Sequence, residues 1–119
     1  MKWTGTVFAA GALLLMADPA VAWERITTEQ QFVEEVVGRT LVNPEGYAWV
    51  YQPDGRITGT WDGQQVTGRW EWHQTLFCRN VRIGDNETGT DCQVKEVRGQ
   101  QMRYTRDQGR GDTIVMTMQ

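Results

Sequence analysis

The chain contains no serine, one histidine and two cysteines among its 119 residues. Without serine it has no nucleophile for a Ser-His-Asp triad, and a lone histidine cannot supply the ligands of a His-rich metal site. Strand alternation places His73 and Glu71 on the face opposite Trp70 and Trp72, so we expect His73 to face solvent. This inventory favours a protein that is not an enzyme, and we expect no metal and no other cofactor.

Basic residues do not accumulate in any part of the sequence. The 12 Lys and Arg residues stand against 15 Asp and Glu residues, which gives a net charge of −3. The arginines alternate with apolar residues, as on the solvated face of a sheet. We therefore expect no binding to nucleic acid, which requires a basic stripe or patch.

A long apolar run occurs at the beginning of the chain, from Thr6 to Ala17, and it is too short to span a membrane. Met1-Lys2 precedes this run, and the small-residue sequence Ala20-Val21-Ala22 follows it. This order is typical of a secretory signal peptide, here residues 1–22, which is cleaved after Ala22. We expect a periplasmic or secreted protein with no membrane span after cleavage.

Residues 23–119 are enough for a single small domain with a modest core. Its two cysteines, Cys78 and Cys92, form an even pair in an exported chain, which indicates a structural disulfide. Closing a loop of this length stabilises a fold by about 3 kcal/mol in the chain-entropy model. We expect the disulfide-stapled domain to be a monomer.

One helix is predicted near the start of this domain. Thr28 and Gln31 have the spacing of a capping box, and Gly38 can end the segment in the left-handed conformation. Between them, apolar residues at helical spacing predict one buried face: Phe32, Val33, Val36 and Val37.

After Gly38 the hydrophobic period changes from helical spacing to two. The pattern aliphatic-Thr-Gly-x-Trp occurs at residues 57–61 and again at 66–70, joined by residues 62–65, which predicts a hairpin with a turn of either two or four residues. One face of this hairpin then carries Ile57, Gly59, Trp61, Val66, Gly68 and Trp70, and Trp72 continues it. We expect the two glycines to leave space for large rings.

Further strands are predicted over residues 76–83 and 90–97 around a turn at 84–89, with Cys78 opposite Cys92 and Arg79 opposite Asp91. Two more turns separate short strands up to Met118. The fold class we predict is mainly β, with one N-terminal helix packed on a curved antiparallel meander of about seven strands. A small barrel or half-barrel is expected, and a sandwich is the alternative.

The chain resembles a family of small exported proteins of Gram-negative bacteria. The resemblance covers most of the domain and is carried by the two Thr-Gly-x-Trp strands, Phe77-Cys78-Arg79, Asp91-Cys92-Gln93 and the segment from Tyr104 to Asp112. It implies a secreted all-β protein and no particular activity. Some members carry the label dihydrodipicolinate reductase, but a strand followed by G-x-x-G-x-x-G and a helix, as a nucleotide site of that kind needs, is missing from this sequence.

Tryptophan supplies the main functional indication. Trp49, Trp61, Trp70 and Trp72 either fill the core, which the small size favours, or line a ligand groove. We predict a non-catalytic periplasmic module that binds a small ligand or an envelope protein. The alternative is an inhibitor of a lysozyme or protease that inserts the loop Gly84, Asp85, Asn86 and Glu87 into its target. An enzyme, including the labelled reductase, is the least favoured class.

Overall fold

A computed structural model describes residues 21–119, so the predicted signal peptide 1–22 lies outside the described residues except for its last two. Residues 21–119 form one regular helix, α1, and nine strands. In chain order they are β1 (Glu24–Ile26), α1 (Glu29–Glu35), β2 (Thr40–Val42), β3 (Tyr47–Tyr51), β4 (Arg56–Trp61), β5 (Gln64–His73), β6 (Leu76–Ile83), β7 (Asn86–Arg98), β8 (Gln101–Thr105) and β9 (Thr113–Met118).

Strands β2 to β9 form a closed antiparallel barrel of eight strands. Each strand pairs with the next one along the chain, and the last pairs with the first through Leu41 and Met118. Strand β1 is not one of these eight. It pairs with β7 beyond the point where the pairing of β6 with β7 has ended. The mainly β antiparallel class is confirmed. The small barrel is also confirmed, and it is closed, unlike the half-barrel that was the other expectation. The count of about seven strands is two too low, because β1 and β2 have three residues each and show too little alternation to be recognised.

Helix α1 begins as the sequence predicts but ends earlier, at Glu35, so that Val36 and Val37 lie in the turn before Gly38. The Thr28 hydroxyl accepts a hydrogen bond from the Gln31 backbone N–H at 3.1 Å, and the Gln31 side chain accepts one from the Thr27 N–H at 3.3 Å. Gly38 has a φ of 85°, the left-handed conformation expected of it. The predicted apolar face is wrong in one position: Val33 is 42% exposed, because this helix of seven residues packs with a narrow stripe.

Side chains alternate between the barrel interior and solvent along the strands. The predicted core residues Phe32, Val36, Trp49, Ile57, Val66 and Trp70 are buried, and Trp61 and Trp72 pack against them while partly exposed. The predicted role of Gly59 and Gly68, to leave space for large rings, is wrong. A Cβ at Gly59 would overlap the Ala48 carbonyl oxygen, and one at Gly68 would overlap the Asn80 carbonyl oxygen. These glycines therefore allow close approach of neighbouring strands rather than making room for rings.

The hairpin of β6 and β7 carries the disulfide. Cys78 and Cys92 are bonded and lie directly opposite each other, and Arg79 lies opposite Asp91 as predicted. The turn at 84–89 is corrected, because β7 begins at Asn86 and only two residues separate the strands. The register shifts further along the hairpin, where two residues of β7 stand opposite one residue of β6, which is a β-bulge.

A four-residue segment, Arg106–Gly109, connects β8 towards β9 with helix-like hydrogen bonds. Asp107 and Gln108 have φ values of 53° and 58°, which are left-handed and not helical. We call this segment the 106–109 turn. Its Asp107 backbone N–H points back to the barrel and donates to the Asp91 carboxylate.

Candidate ligand cavity

A cavity of about 210 Å³ lies inside the barrel. At one end α1 covers it, with Phe32 packed on the ring of Tyr51. At the other end, where the hairpin turns of β4–β5 and β6–β7 lie, Trp61 and Ile83 are partly exposed and Arg106 is exposed. The cavity therefore opens towards that second end. Its wall is made by Trp49, Tyr51, Ile57, Trp61, Val66, Arg79, Val81, Ile83, Thr88, Gln93, Tyr104, Arg106 and Ile114.

Aromatic rings form one wall of the cavity near its opening. Tyr47 stacks on Trp61 with ring centroids 3.7 Å apart, and Trp49 lies nearly parallel to Trp61 at 6.3 Å and 5°. These residues come from the neighbouring strands β3 and β4, whose register pairs Tyr47 with Trp61. The result is a flat apolar surface that a planar ligand could contact.

Arg79 is the more buried of the two arginines that line the cavity. Its Nη1 donates to the Thr88 hydroxyl at 3.0 Å and to the Gly89 carbonyl at 3.3 Å, so the β-bulge of β7 fixes the guanidinium. Its Nη2 lies 3.9 Å from Asp91 Oδ2, an ion pair without a hydrogen bond. Burial lowers the pKa of Arg79, although an arginine remains charged. Within residues 21–119, neither Nε nor Nη2 of Arg79 has a hydrogen-bond partner.

Asp91 is held by several donors. Its Oδ2 accepts from Gln93 Nε2 at 2.8 Å and from Arg106 Nε at 3.5 Å, and its Oδ1 accepts from the Asp107 N–H at 3.0 Å. Burial acts to raise the pKa of Asp91, but these hydrogen bonds and the charges of Arg79 and Arg106 outweigh it and lower that pKa overall. Asp91 is therefore ionised at neutral pH.

Lys95 lies beyond the cavity wall, deeper in the barrel and fully buried. Its Nζ donates to the Tyr51 hydroxyl at 2.8 Å and sits 3.9 Å from the ring centroid of Phe77 and 4.6 Å from that of Tyr104. Burial lowers the pKa of Lys95 well below its usual range. The charge of Arg79 adds to this effect, and the charge of Asp91 opposes it. Burial also raises the pKa values of Tyr51 and Tyr104 above those of free tyrosine.

One indole N–H of the wall lacks a hydrogen bond. Trp49 Nε1 is buried and has no partner within hydrogen-bond geometry in the described chain, although it lies close enough to the Tyr51 hydroxyl to oppose in part the rise in pKa that burial causes there. Buried donors are normally paired. This donor and those of Arg79 are thus available around an otherwise apolar cavity.

The tryptophans predicted together are divided between the two ends of the barrel. Trp49 and Trp61 line the cavity. Trp70 and Trp72 pack on Phe32 at the covered end, and each indole N–H donates to a backbone carbonyl, of Gln52 and Gln74 respectively. The latter pair therefore belongs to the core, outside the cavity wall.

The remaining predicted residues lie outside the barrel interior. Gly84 and Asp85 form the tight turn of β6–β7, and Asn86 and Glu87 begin β7, all at the open end. The disulfide is on the outer face of the same hairpin, since the adjacent Arg79 points inward. His73 is exposed as predicted and pairs with Glu71 at 3.1 Å.

Sequence reasoning missed the polar residues of the interior: Arg79, Gln93 and Lys95. Alternation contains the information. Because Cys78 and Cys92 share the outer face, the odd-numbered positions of β6, and those of β7 from Asp91 onwards, share the inner face with Phe77 and Val97. Charged residues in strands usually face solvent, and this expectation concealed them.

No family model, no curated protein and no solved structure matches the chain. Between residues 21 and 119, no group of three or more His, Cys, Asp or Glu residues is arranged to hold a metal ion. In the same range, the structure contains no helix with the length and apolar character needed to cross a membrane.

Proposed function

We propose that this protein is a non-catalytic binding module that holds a small, largely apolar molecule in the barrel cavity. The observation that carries the proposal is an apolar cavity on which a few polar groups converge, namely Arg79, Gln93 and Tyr104. Sites for small molecules typically have this composition. An apolar cavity of about 150 Å³ is large enough for benzene, so about 210 Å³ can hold a ligand of one or two rings.

An eight-stranded barrel has two ways to use its interior. It can fill the space with side chains, or it can hold one small ligand. Here Phe32, Met102 and Met116 pack the interior tightly, whereas the part between Trp61 and Tyr51 is left open. This difference between two parts of one barrel supports a binding role for the open part.

Export is part of the same proposal. The disulfide suits an oxidising compartment such as the periplasm. Trp23, which would follow the predicted cleavage, contacts the guanidinium groups of Arg98 and Arg103, whose Cζ atoms lie 4.3 and 4.4 Å from its ring centroid. A mature chain that starts at Trp23 would therefore keep this contact. The proposed membership in a family of small exported Gram-negative proteins agrees with such a location.

Inhibition of a lytic enzyme is less favoured. Such inhibitors insert an extended loop into the target, and the hairpin at Gly84 and Asp85 has only two turn residues. It offers little to insert into a deep active site. The cavity therefore supports a small-ligand role better than the hairpin supports an inhibitory one.

The proposal is tested by titrating the mature protein with naphthalene-2-carboxamide, a neutral two-ring probe, in a calorimeter. We expect saturable binding with one molecule per chain. Ile114→Trp adds a ring at a cavity-lining position and should weaken binding at least about tenfold. Val115→Trp, at the adjacent position on the solvent side where Val115 is 42% exposed, is the matched control. Binding that Ile114→Trp leaves unchanged would remove the cavity as the site.

A further inference from the structure

The polar side of the cavity has an excess of positive charge. Arg79 has a side chain only 14% exposed and carries one full charge into the barrel. Asp91 is the nearby carboxylate, and it is shared among Gln93, Arg106 and the Asp107 N–H. Two guanidinium groups thus stand against one carboxylate.

Only one of the three nitrogen atoms of the Arg79 guanidinium donates hydrogen bonds within residues 21–119. Both contacts from Nη1 go to the bulge of β7, at Thr88 and Gly89. The Nε and Nη2 groups have no such partner in the described part of the chain, and neither is sealed from solvent, as only Glu35, Asn43 and Trp49 contain buried polar atoms without partners. This edge of the guanidinium borders the cavity.

We infer that the ligand of this cavity is a small apolar acid, with one or two rings and one carboxylate, whose carboxylate binds the Nε and Nη2 groups of Arg79. The inference rests on the proposed small-ligand function and specifies its ligand class. An arginine edge presents two parallel N–H groups, which match the two oxygens of a carboxylate. The apolar part of the ligand would lie towards the flat wall of Trp49 and Trp61.

The other charge classes fit the cavity less well. A neutral ligand would shield Arg79 from water without giving its two free donors a partner, and unpaired buried donors are costly. A cationic ligand would approach Arg79 and Arg106 with the same sign of charge. The fold has already removed much of the water around Arg79. Binding of a carboxylate therefore needs little further desolvation of the guanidinium.

The test compares 2-naphthoate with its neutral isostere naphthalene-2-carboxamide, using calorimetry on the mature protein. We expect the carboxylate to bind at least about tenfold more tightly than the amide, as a charge-assisted pair of hydrogen bonds would require. Arg79→Met keeps an unbranched side chain, shorter than that of arginine, and removes the charge and all of its donors. It should abolish the preference, so that the variant binds the two compounds with affinities within about threefold of each other.

A matched variant removes a cation that the carboxylate is not expected to touch. Arg82→Met, at an exposed outward position of the same strand β6, leaves the cavity wall unchanged and should retain the full preference for 2-naphthoate. If Arg79→Met keeps the full preference, the assignment to Arg79 is wrong. If wild type binds the amide as tightly as the acid, the acid class is wrong and the small-ligand function stands. If neither compound binds, the proposed function itself is overturned.

A measurement on the wild-type protein covers the case in which Arg79→Met does not fold. The carboxyl carbon of 2-naphthoate, labelled with ¹³C, reports its own titration by NMR in the complex. We expect the pKa of the bound acid to lie below that of the free acid, because the charged form is the one that Arg79 holds. A bound pKa equal to or above the free value would contradict the inference.

Discussion

The burial of the Lys95 side chain is unfavourable for the stability of the barrel. Removing a charged ammonium from water is unfavourable by several kcal/mol, so a buried lysine gives up its proton instead. Its neighbours are three aromatic rings and one hydroxyl, of Tyr51, which can accept one hydrogen bond. The native state therefore favours the neutral amine.

The first prediction concerns the pH dependence of stability. The folded pKa of Lys95 is lowered, whereas in the unfolded chain it is about 10.4. Between these values the unfolded state binds one proton more than the native state, so the free energy of unfolding rises with pH by up to about 1.4 kcal/mol per unit. Above about pH 10 the raised pKa values of Tyr51 and Tyr104 reverse the slope.

Lys95→Met removes the group that causes the rise. We expect this variant to be more stable than wild type at neutral pH and to lose the rising slope below about pH 10. Urea denaturation from pH 6 to pH 9.5 measures both effects. Arg25→Met, at an exposed position of β1, serves as the control and should keep the wild-type slope. An unchanged slope in Lys95→Met would mean that another group titrates.

The clearest differences between the sequence predictions and the structure concern the directions of single side chains. The exposed position of His73 and the burial of Trp49 follow from alternation alone. The inward direction of Arg79 follows from the same alternation, but composition opposes it, since arginine in a strand is normally solvated. Only the closed barrel, which encloses one face of β6 and β7 completely, decides between the two.

Among the structural elements, the paired strands β4 and β5 illustrate the role of glycine. The repeated Thr-Gly-x-Trp pattern correctly located this hairpin and its inward face. Each glycine lies where the next strand comes so close that a methyl group would overlap a backbone carbonyl. Such close approach lets a sheet bend, and a barrel of eight strands must bend strongly.

The second prediction compares two glycines. Gly59→Ala would force the backbone of β3 to move, because a Cβ meets Ala48 and Trp49, and we expect a loss of more than about 2 kcal/mol. Gly63→Ala faces open space and is strained only by its φ of 81°, so about 1 kcal/mol is expected. Equilibrium denaturation of both variants gives the comparison. Equal losses would show that strand approach at Gly59 is not limiting.

The third prediction concerns the β6–β7 hairpin. Cys78→Ala combined with Cys92→Ala should lower the free energy of unfolding by about 2–4 kcal/mol, because the unfolded chain loses its cross-link. Thiol titration of the denatured wild-type protein should find no free cysteine. Two titratable thiols in protein taken from the periplasm would contradict a structural disulfide and turn attention to redox chemistry.

Local sequence signals predicted these elements to different degrees. Helix α1 was located by its cap, and the longer strands by alternation. The strands β1 and β2 were not predicted, since three residues do not reveal a period. Strand β7 begins earlier than the sequence predicts, because Gly84 to Gly89 contains many turn-forming residues, several of which lie in the bulged strand.

At the scale of the whole molecule, the barrel has one covered end and one open end. Closure depends on the pairing of Leu41 with Met118, which brings together distant parts of the chain. No local pattern encodes such a contact, so the sequence could not distinguish a closed barrel from a half-barrel. Once the barrel is closed, α1 covers one end, and the cavity can open only at the other.

The last prediction tests how the covered end is held. Phe32 is fully buried, and its ring lies 5.2 to 5.5 Å from those of Tyr51, Trp70, Trp72 and Phe77. Phe32→Ala should therefore cost about 3–5 kcal/mol of stability. Val33→Ala changes an exposed residue of the same helix and should stay within about 0.5 kcal/mol.

Hydrogen exchange distinguishes a loose cover from general destabilisation in Phe32→Ala. If α1 seals the barrel through Phe32, amide protection should fall first in α1 and in the adjoining parts of β3 and β6, where Tyr51 and Phe77 lie. Strands β8 and β9, which pack through Met102 and Met116 on the far wall, should keep more of their protection. A uniform loss over all strands would instead mean that Phe32 stabilises the barrel as one cooperative unit, with no separate cover.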